Sequence, residues 1–392
     1  MRLSSLLLGL LLLLGLASPS VSANEARGQC QAPVGRDFPA APQEVGALAG
    51  PLLKINEALD AGKYDFRSLL VVRNCKLIFE RYKDGIGRDH NHTIYSVTKS
   101  FAATLVGALL HAGKLKSIDA PISTLLEKPP SLTDEAWAAN NRITLRNVMQ
   151  MSSGLEYFHD PANNPIYRLK SDRLAVALAT KAVAEPGTKY NYSDGDASVT
   201  GAMIAAASGK DLYNTAKELL FVPLEMVNHD WWFMDLAGRY PGGWGLRLRP
   251  MDMAKLGQLY LQGCNWNGQQ ICDRSYVAMA WTAGPSKYYG LHWWIGRTAT
   301  GLDYFYASGV KGQRIFVLPA LGIVAAITSI TPHNEMRGIE AMMFAAIAEA
   351  PADAGPPDEA VLAQLAKVQK TGFTGRNRSL AIEDQDYPRP PR

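Results

Sequence analysis

The sequence predicts an α+β fold. An antiparallel sheet, flanked by helices and built from both ends of the chain, carries an inserted and mostly helical lobe. Three observations predict it. Strand-like segments lie at residues 69–81 and again at 289–328, and the stretch between them follows helical periodicity broken by Pro-, Gly- and Asn-rich loops. The chain is also too long for one core.

Met1-Arg2, the apolar run of residues 6–16 and the small residues of Val21-Ser22-Ala23 read as a secretory signal cleaved after Ala23. The run is short for a membrane span of ~20 residues, and no later segment is long and apolar enough to cross a bilayer. An exported, soluble protein without stable membrane insertion is expected. Its 369 residues exceed the ~250–300 at which a single core stops growing, so two lobes are expected. Residues 24–44 read as an N-terminal arm, 45–95 with 283–350 as an α/β lobe, 96–282 as the helical lobe, and 351–392 as a C-terminal extension.

Apolar positions Val45, Leu48, Leu52, Leu53, Ile55 and Leu59 predict a helix over 43–61, stopped by Gly62. Residues 69–73 and 77–81, separated by Asn74-Cys75-Lys76, predict an antiparallel hairpin. Later strands are expected over 289–294, 303–307, 313–318 and 322–328. Asn334 is expected to cap a helix running to 350, a short helix should follow over 358–370, and the last residues read as disordered.

A net charge of +4, with 47% hydrophobic and 19% charged residues and no basic run, argues against nucleic acid or an anionic membrane as partner. Four cysteines allow three pairings. Cys264 and Cys272 bracket the turn-like Asn265-Trp266-Asn267-Gly268 and form the expected local bridge, which leaves Cys30 with Cys75.

Chemistry concentrates at Ser96-Val97-Thr98-Lys99, where a polar segment gives way to the apolar run Phe101 to Leu110. In a helix, residues three apart share a face, so an amine lies beside a hydroxyl at the mouth of a buried helix. Serine needs such a base to become a nucleophile, and burial is expected to lower the Lys99 pKa toward the useful range. The first helical turn also offers unpaired N–H groups to an oxyanion. Taken alone, the four-residue pattern reads first as an N-cap serine and a solvated lysine. A second Ser-x-x-Lys, Ser308 to Lys311, is flanked by glycines and strand-like segments and reads as a hairpin turn.

Two further segments keep this pair company. The loop Tyr190-Asn191-Tyr192-Ser193-Asp194 leads into a helix and can bring a phenol to Ser96 and Lys99. The strand Tyr306-Ala307-Ser308-Gly309-Val310 ends in glycines and can lend a backbone N–H, from Val310, opposite that of Ser96. A buried loop tyrosine and a plain hairpin are the structural alternatives.

In this order the three segments resemble the motifs of the serine β-lactamase and penicillin-binding-protein superfamily. Leu145-Arg146-Asn147-Val148-Met149-Gln150-Met151-Ser152-Ser153-Gly154 and Gly242-Gly243-Trp244 are similar to its class C branch and esterase relatives. Met151 to Tyr157, Asp160-Pro161 and Tyr190-Asn191-Tyr192 are similar to 6-aminohexanoate-dimer hydrolases. The resemblance covers residues 45–350 and implies a β-lactamase/transpeptidase-like fold. It implies Ser96 as acylated nucleophile, Lys99 as base, Tyr192 as proton relay, and the N–H groups of Ser96 and Val310 as oxyanion hole. It places Asp194, Ala307, Ser308 and Gly309 against substrate.

Two positions depart from the family pattern. Asp194 stands where an Asn is usual, so it pairs with Lys99 or attracts a substrate amine. Ala307 stands where a cation is usual, which disfavours a carboxylate-bearing β-lactam or peptide unless Lys311 compensates. The expected activity is therefore a cofactor-free serine hydrolase acting on a small-molecule ester or linear amide. A β-lactamase or DD-peptidase, and a non-catalytic wall-binding relative, are the alternatives.

No Gly-x-Ser-x-Gly, His-Glu-x-x-His or phosphate-binding glycine loop occurs. His90 and His92 read as surface residues, and Trp231-Trp232 and Trp293-Trp294 as core or cleft aromatics. No metal or cofactor is expected, and the oligomeric state is left open.

Overall fold

Asn74 and Cys75 both take positive φ, 48° and 64°, the backbone that a tight two-residue hairpin demands. They join β1 (Phe66–Arg73) to β2 (Lys76–Tyr82). The chain is described here by a computed structural model covering residues 30, 32–62, 64–168, 170–231, 234–332, 335–347 and 358–373. The expected signal segment, Asn334, Trp232 and the chain end after Phe373 lie outside those residues.

Four later strands complete one antiparallel sheet: β3 (Trp294–Arg297), β4 (Asp303–Gly309), β5 (Gln313–Leu318) and β6 (Ile323–Ser329). Their spatial order is β2-β1-β6-β5-β4-β3, so the two ends of the chain meet at the centre, where β1 pairs with β6. Seven of eight β1 residues are buried and β6 is buried throughout, because helices cover both faces.

Strand periodicity sorts the core. Leu69 and Val71 join one cluster, under α1 (Ala49–Asp60), α5 (Met336–Ile347) and α6 (Glu359–Gln369). Leu70 and Val72 join the other, which contains α2 (Thr98–His111), α3 (Asp194–Ser208) and α4 (Pro250–Leu261). Gly257 lets α4 lie directly on the sheet. A Cβ there would fall 2.6 Å from Val324 Cγ1.

Several expectations need correcting. The helix expected over 43–61 is a 3-10 segment, Pro42–Leu48, followed by α1, because Gly46 takes φ 55° and interrupts it. The strand expected from 289 starts only at Trp294, since His292 takes φ 55°, incompatible with extended backbone. His92 is buried in the short strand His92–Thr93 and is not a surface residue. Trp293, expected in the core or the cleft, is buried in the core.

Both expected disulfides are present, Cys30–Cys75 and Cys264–Cys272. Among the described residues no helix is long and apolar enough to cross a membrane. The disulfides span 45 and 8 residues, so in a chain-entropy account the first restrains the unfolded state more, by about 4 kcal/mol against about 2.5 kcal/mol. Urea unfolding should therefore show a larger stability loss for Cys30→Ala/Cys75→Ala than for Cys264→Ala/Cys272→Ala.

Candidate active site

Ser96 sits in the 3-10 turn Tyr95–Val97, which runs directly into α2. The turn is held by the Val97 N–H on Ile94 O, and Ile94 N–H donates to Leu246 O of the neighbouring short sheet. From the other side, the end of β4 presses on it. A Cβ on Gly309 would lie 2.4 Å from Ile94 O and 3.2 Å from Tyr95 Cβ, so glycine permits this approach.

Lys99 lies one helical turn beyond Ser96 and is 1% exposed. Its ammonium donates to Ser96 Oγ (3.0 Å), Asp194 Oδ1 (2.5 Å) and Gly243 O (3.0 Å), one acceptor for each hydrogen. Burial is the largest influence on its pKa and lowers it. The Asp194 carboxylate and then the Tyr192 phenol outweigh burial, and the net direction is upward. This corrects the expectation of a lowered lysine pKa. The resting group is an ammonium.

Asp194 opens α3, behind an N-cap in which Ser193 Oγ accepts from Asp196 N–H at 3.1 Å. Burial would raise its pKa, but the Lys99 ammonium and the Tyr167 hydroxyl hold it below the usual carboxylate value. Its second oxygen accepts from Tyr167 (2.5 Å) and Tyr157 (3.2 Å), whose hydroxyls also touch one another. His159 Nδ1 lies 2.9 Å from the Tyr167 hydroxyl. Neither the tyrosines nor His159 carried a recognisable signal in the sequence, although the segment Met151 to Tyr157 had marked the region. Gly243 lies in the segment Gly242-Gly243-Trp244 that the resemblance singles out, but its part in holding Lys99 leaves no sign in the sequence. A Cβ there would stand 3.0 Å from Asp194 Oδ1 and 3.1 Å from Lys99 Nζ.

Tyr192 is half-buried, with its ring centroid 4.9 Å from Lys99 Nζ. Trp294 stacks on it at 5.5 Å and Tyr289 meets it edge-on at 5.9 Å, while Trp294 stacks in turn on Tyr306. The β3 ladder ends at Trp294↔Tyr306. Beyond it, among the described residues, Ala307, Ser308 and Gly309 pair only with β5. Ala307 is fully buried within the core cluster, so its methyl group presents no surface to a substrate, contrary to expectation. The segment Val310–Gly312 is the expected hairpin turn, with Lys311 at φ 63° and its ammonium 5.7 Å from the Tyr95 ring centroid.

A second buried carboxyl lies beneath the site. Asp196 accepts from Ser153 Oγ at 2.6 Å, yet burial pushes its pKa up to about 7. The folded state therefore holds this proton more tightly than the unfolded chain, and the group's contribution to stability falls as pH rises from about 4 through about 7. Asp196→Asn removes that titration. The stability difference between the variant and the parent should grow in the variant's favour across this window, by up to about 4 kcal/mol, and level off above it. Thermal melts at a series of pH values measure it.

A beta-lactamase family model matches residues 67–350. The 6-aminohexanoate-dimer hydrolase of Paenarthrobacter ureafaciens is 22% identical over 339 residues, covering 78% of this chain and 83% of the relative. Among solved structures, EstCE1, a hydrolase with promiscuous acyltransferase activity, has TM-score 0.61 at 18% identity, over 77% of this chain and 98% of its own. A D-stereospecific amidohydrolase from Streptomyces sp. has TM-score 0.56 at 16% identity, over 74% and 97%. At these identities the structural likeness shows the fold. The family model spans well over half of the sequence, and the chain belongs to the beta-lactamase family.

Proposed function

We propose that the protein is an exported serine hydrolase that cleaves ester or linear amide bonds through a Ser96 acyl-enzyme. The observation that carries this reading is the 3.0 Å contact between Ser96 Oγ and a lysine amine sealed from bulk water, with a phenol alongside. Lys99 starts as an ammonium and becomes a base by passing one proton to Asp194, 2.5 Å away. The resulting amine takes the Ser96 proton as Oγ attacks the carbonyl. Tyr192 relays that proton to the leaving group and later helps to draw one from the attacking water. The N–H groups of Ser96 and Val310 hold the oxyanion.

Substrate class follows from charge. Position 307 carries a buried methyl group in place of a cation, so a free carboxylate has no partner there, and uncharged acyl groups are favoured. Tyr192, Trp294 and Tyr306, stacked in series and backed by the buried Tyr289, supply an apolar wall beside Lys99. A hydrolase and an amidohydrolase among the structural relatives support the same reaction class. Export is supported by the leader-like N-terminus and by two disulfides, which persist in oxidising compartments.

A fluorophosphonate probe should label the purified protein, and Ser96→Ala should abolish labelling. Lys99→Ala should lower kcat/KM for a short-chain p-nitrophenyl ester by about 10³-fold or more. A chromogenic cephalosporin should be turned over far more slowly than that ester. Cephalosporin rates equal to ester rates would refute the argument from position 307.

A further inference from the structure

We propose that Asp194, Tyr167 and His159 form a proton-exit path joining the buried Lys99 to bulk water, with His159 as its outer acceptor. The inference rests on the serine-hydrolase reading above and deepens it.

Hydrolysis of an ester at neutral pH yields a carboxylate, an alcohol and one proton, and that proton must leave the site in every cycle. Lys99 is 1% exposed and cannot deliver it to water directly. Of the three acceptors around its ammonium, Gly243 O is a carbonyl that does not take up a proton, and Ser96 Oγ is the group being activated. The Tyr192 phenol lies alongside but serves the leaving group and the attacking water, so Asp194 is the outlet that leads away from the reaction. From its second oxygen a continuous line of contacts runs outward: Tyr167 hydroxyl at 2.5 Å, then His159 Nδ1 a further 2.9 Å on, and the His159 side chain is 60% exposed.

The proton balance closes. Lys99 gives a proton to Asp194 Oδ1 and becomes the amine base. The protonated Asp194 carboxyl then turns over about its Cβ–Cγ bond, carrying that proton to the Tyr167 side. It gives the proton to the Tyr167 oxygen as the Tyr167 hydrogen, swung away from Asp194, moves to Nδ1 of His159, in the tautomer that carries its hydrogen on Nε2. The imidazolium then releases its Nε2 proton to solvent. At the end of the cycle the carboxylic acid product returns a proton to Lys99, restoring the ammonium and Asp194 carboxylate.

Burial and then the Asp194 carboxylate push the Tyr167 phenol well above its ordinary pKa, so transfer through it is concerted and no free phenolate forms. Tyr157, bonded to both Tyr167 and Asp194, is a positioning residue for that hydroxyl. Asp160, beside His159, is a poor outer acceptor. Asn163 and the backbone N–H groups of Ala162 and Asn163 already bind its carboxylate and hold its pKa low.

The test is steady-state hydrolysis of p-nitrophenyl butyrate in dilute buffer, with increasing 2,6-lutidine, a hindered base that accepts protons without attacking esters. His159→Ala should lower kcat about ten-fold or more, with lutidine restoring it in a saturable manner and leaving the parent unaffected. Tyr167→Phe should be slow and unrescued, because Asp194 behind it is buried. A His159→Ala rate equal to the parent in dilute buffer, or a slow variant that lutidine does not restore, overturns the relay. A parent protein that hydrolyses the ester and is labelled at Ser96 keeps the hydrolase reading in either case. A parent that does neither removes both.

Discussion

The site depends on one ion pair placed out of water. Moving a lysine and a carboxylate into the interior costs several kcal/mol for each ion, and their attraction offsets this only when every remaining hydrogen and lone pair is used. Lys99 and Asp194 meet that condition. The ammonium has an acceptor for each hydrogen, and the outer carboxylate oxygen receives two tyrosine hydroxyls. The pair thereby fixes the positions of α2, α3, the Gly243 loop and the loop carrying Tyr157 and Tyr167 around a single point.

Such a point tolerates little bulk, and glycines surround it where backbone must come close. Gly309 lets the end of β4 rest on the Ser96 turn, while Gly243 lets a carbonyl reach the ammonium. Gly257 performs the same service further away, seating α4 on the sheet that supports β4. The aromatic stack running from Tyr192 through Trp294 to Tyr306 ties the phenol to the same sheet edge. The geometry of the candidate site is therefore tied to the sheet edge.

Local signals in the sequence were legible to the extent that local physics decides them. The Asn74-Cys75 turn, β5, the helix behind Ser96 and the Ser96 to Lys99 spacing all follow from short-range periodicity. The charge of Lys99 did not, because its partner lies 95 residues away and reverses the effect of burial. Tyr157, Tyr167 and His159 were hidden for the same reason: nothing within their own loop says that their polar atoms converge on Asp194. Residues 289–293 fit the strand pattern in composition, but the positive φ of His292 serves tertiary packing and leaves no trace in it.

The junction at the middle of the sheet bears on how the molecule is made. Ser68 on β1 and Thr328 on β6 share a hydrogen bond across 260 residues of intervening chain, and every pairing of those two strands has a similar span. Bringing such distant segments together is entropically expensive and slow, so β1 and β2 must wait, unpartnered along one edge, until β6 emerges. A nascent chain delivered from its N-terminus first thus passes through a stage with an apolar strand edge exposed. Assistance from a holding chaperone would matter most during that interval.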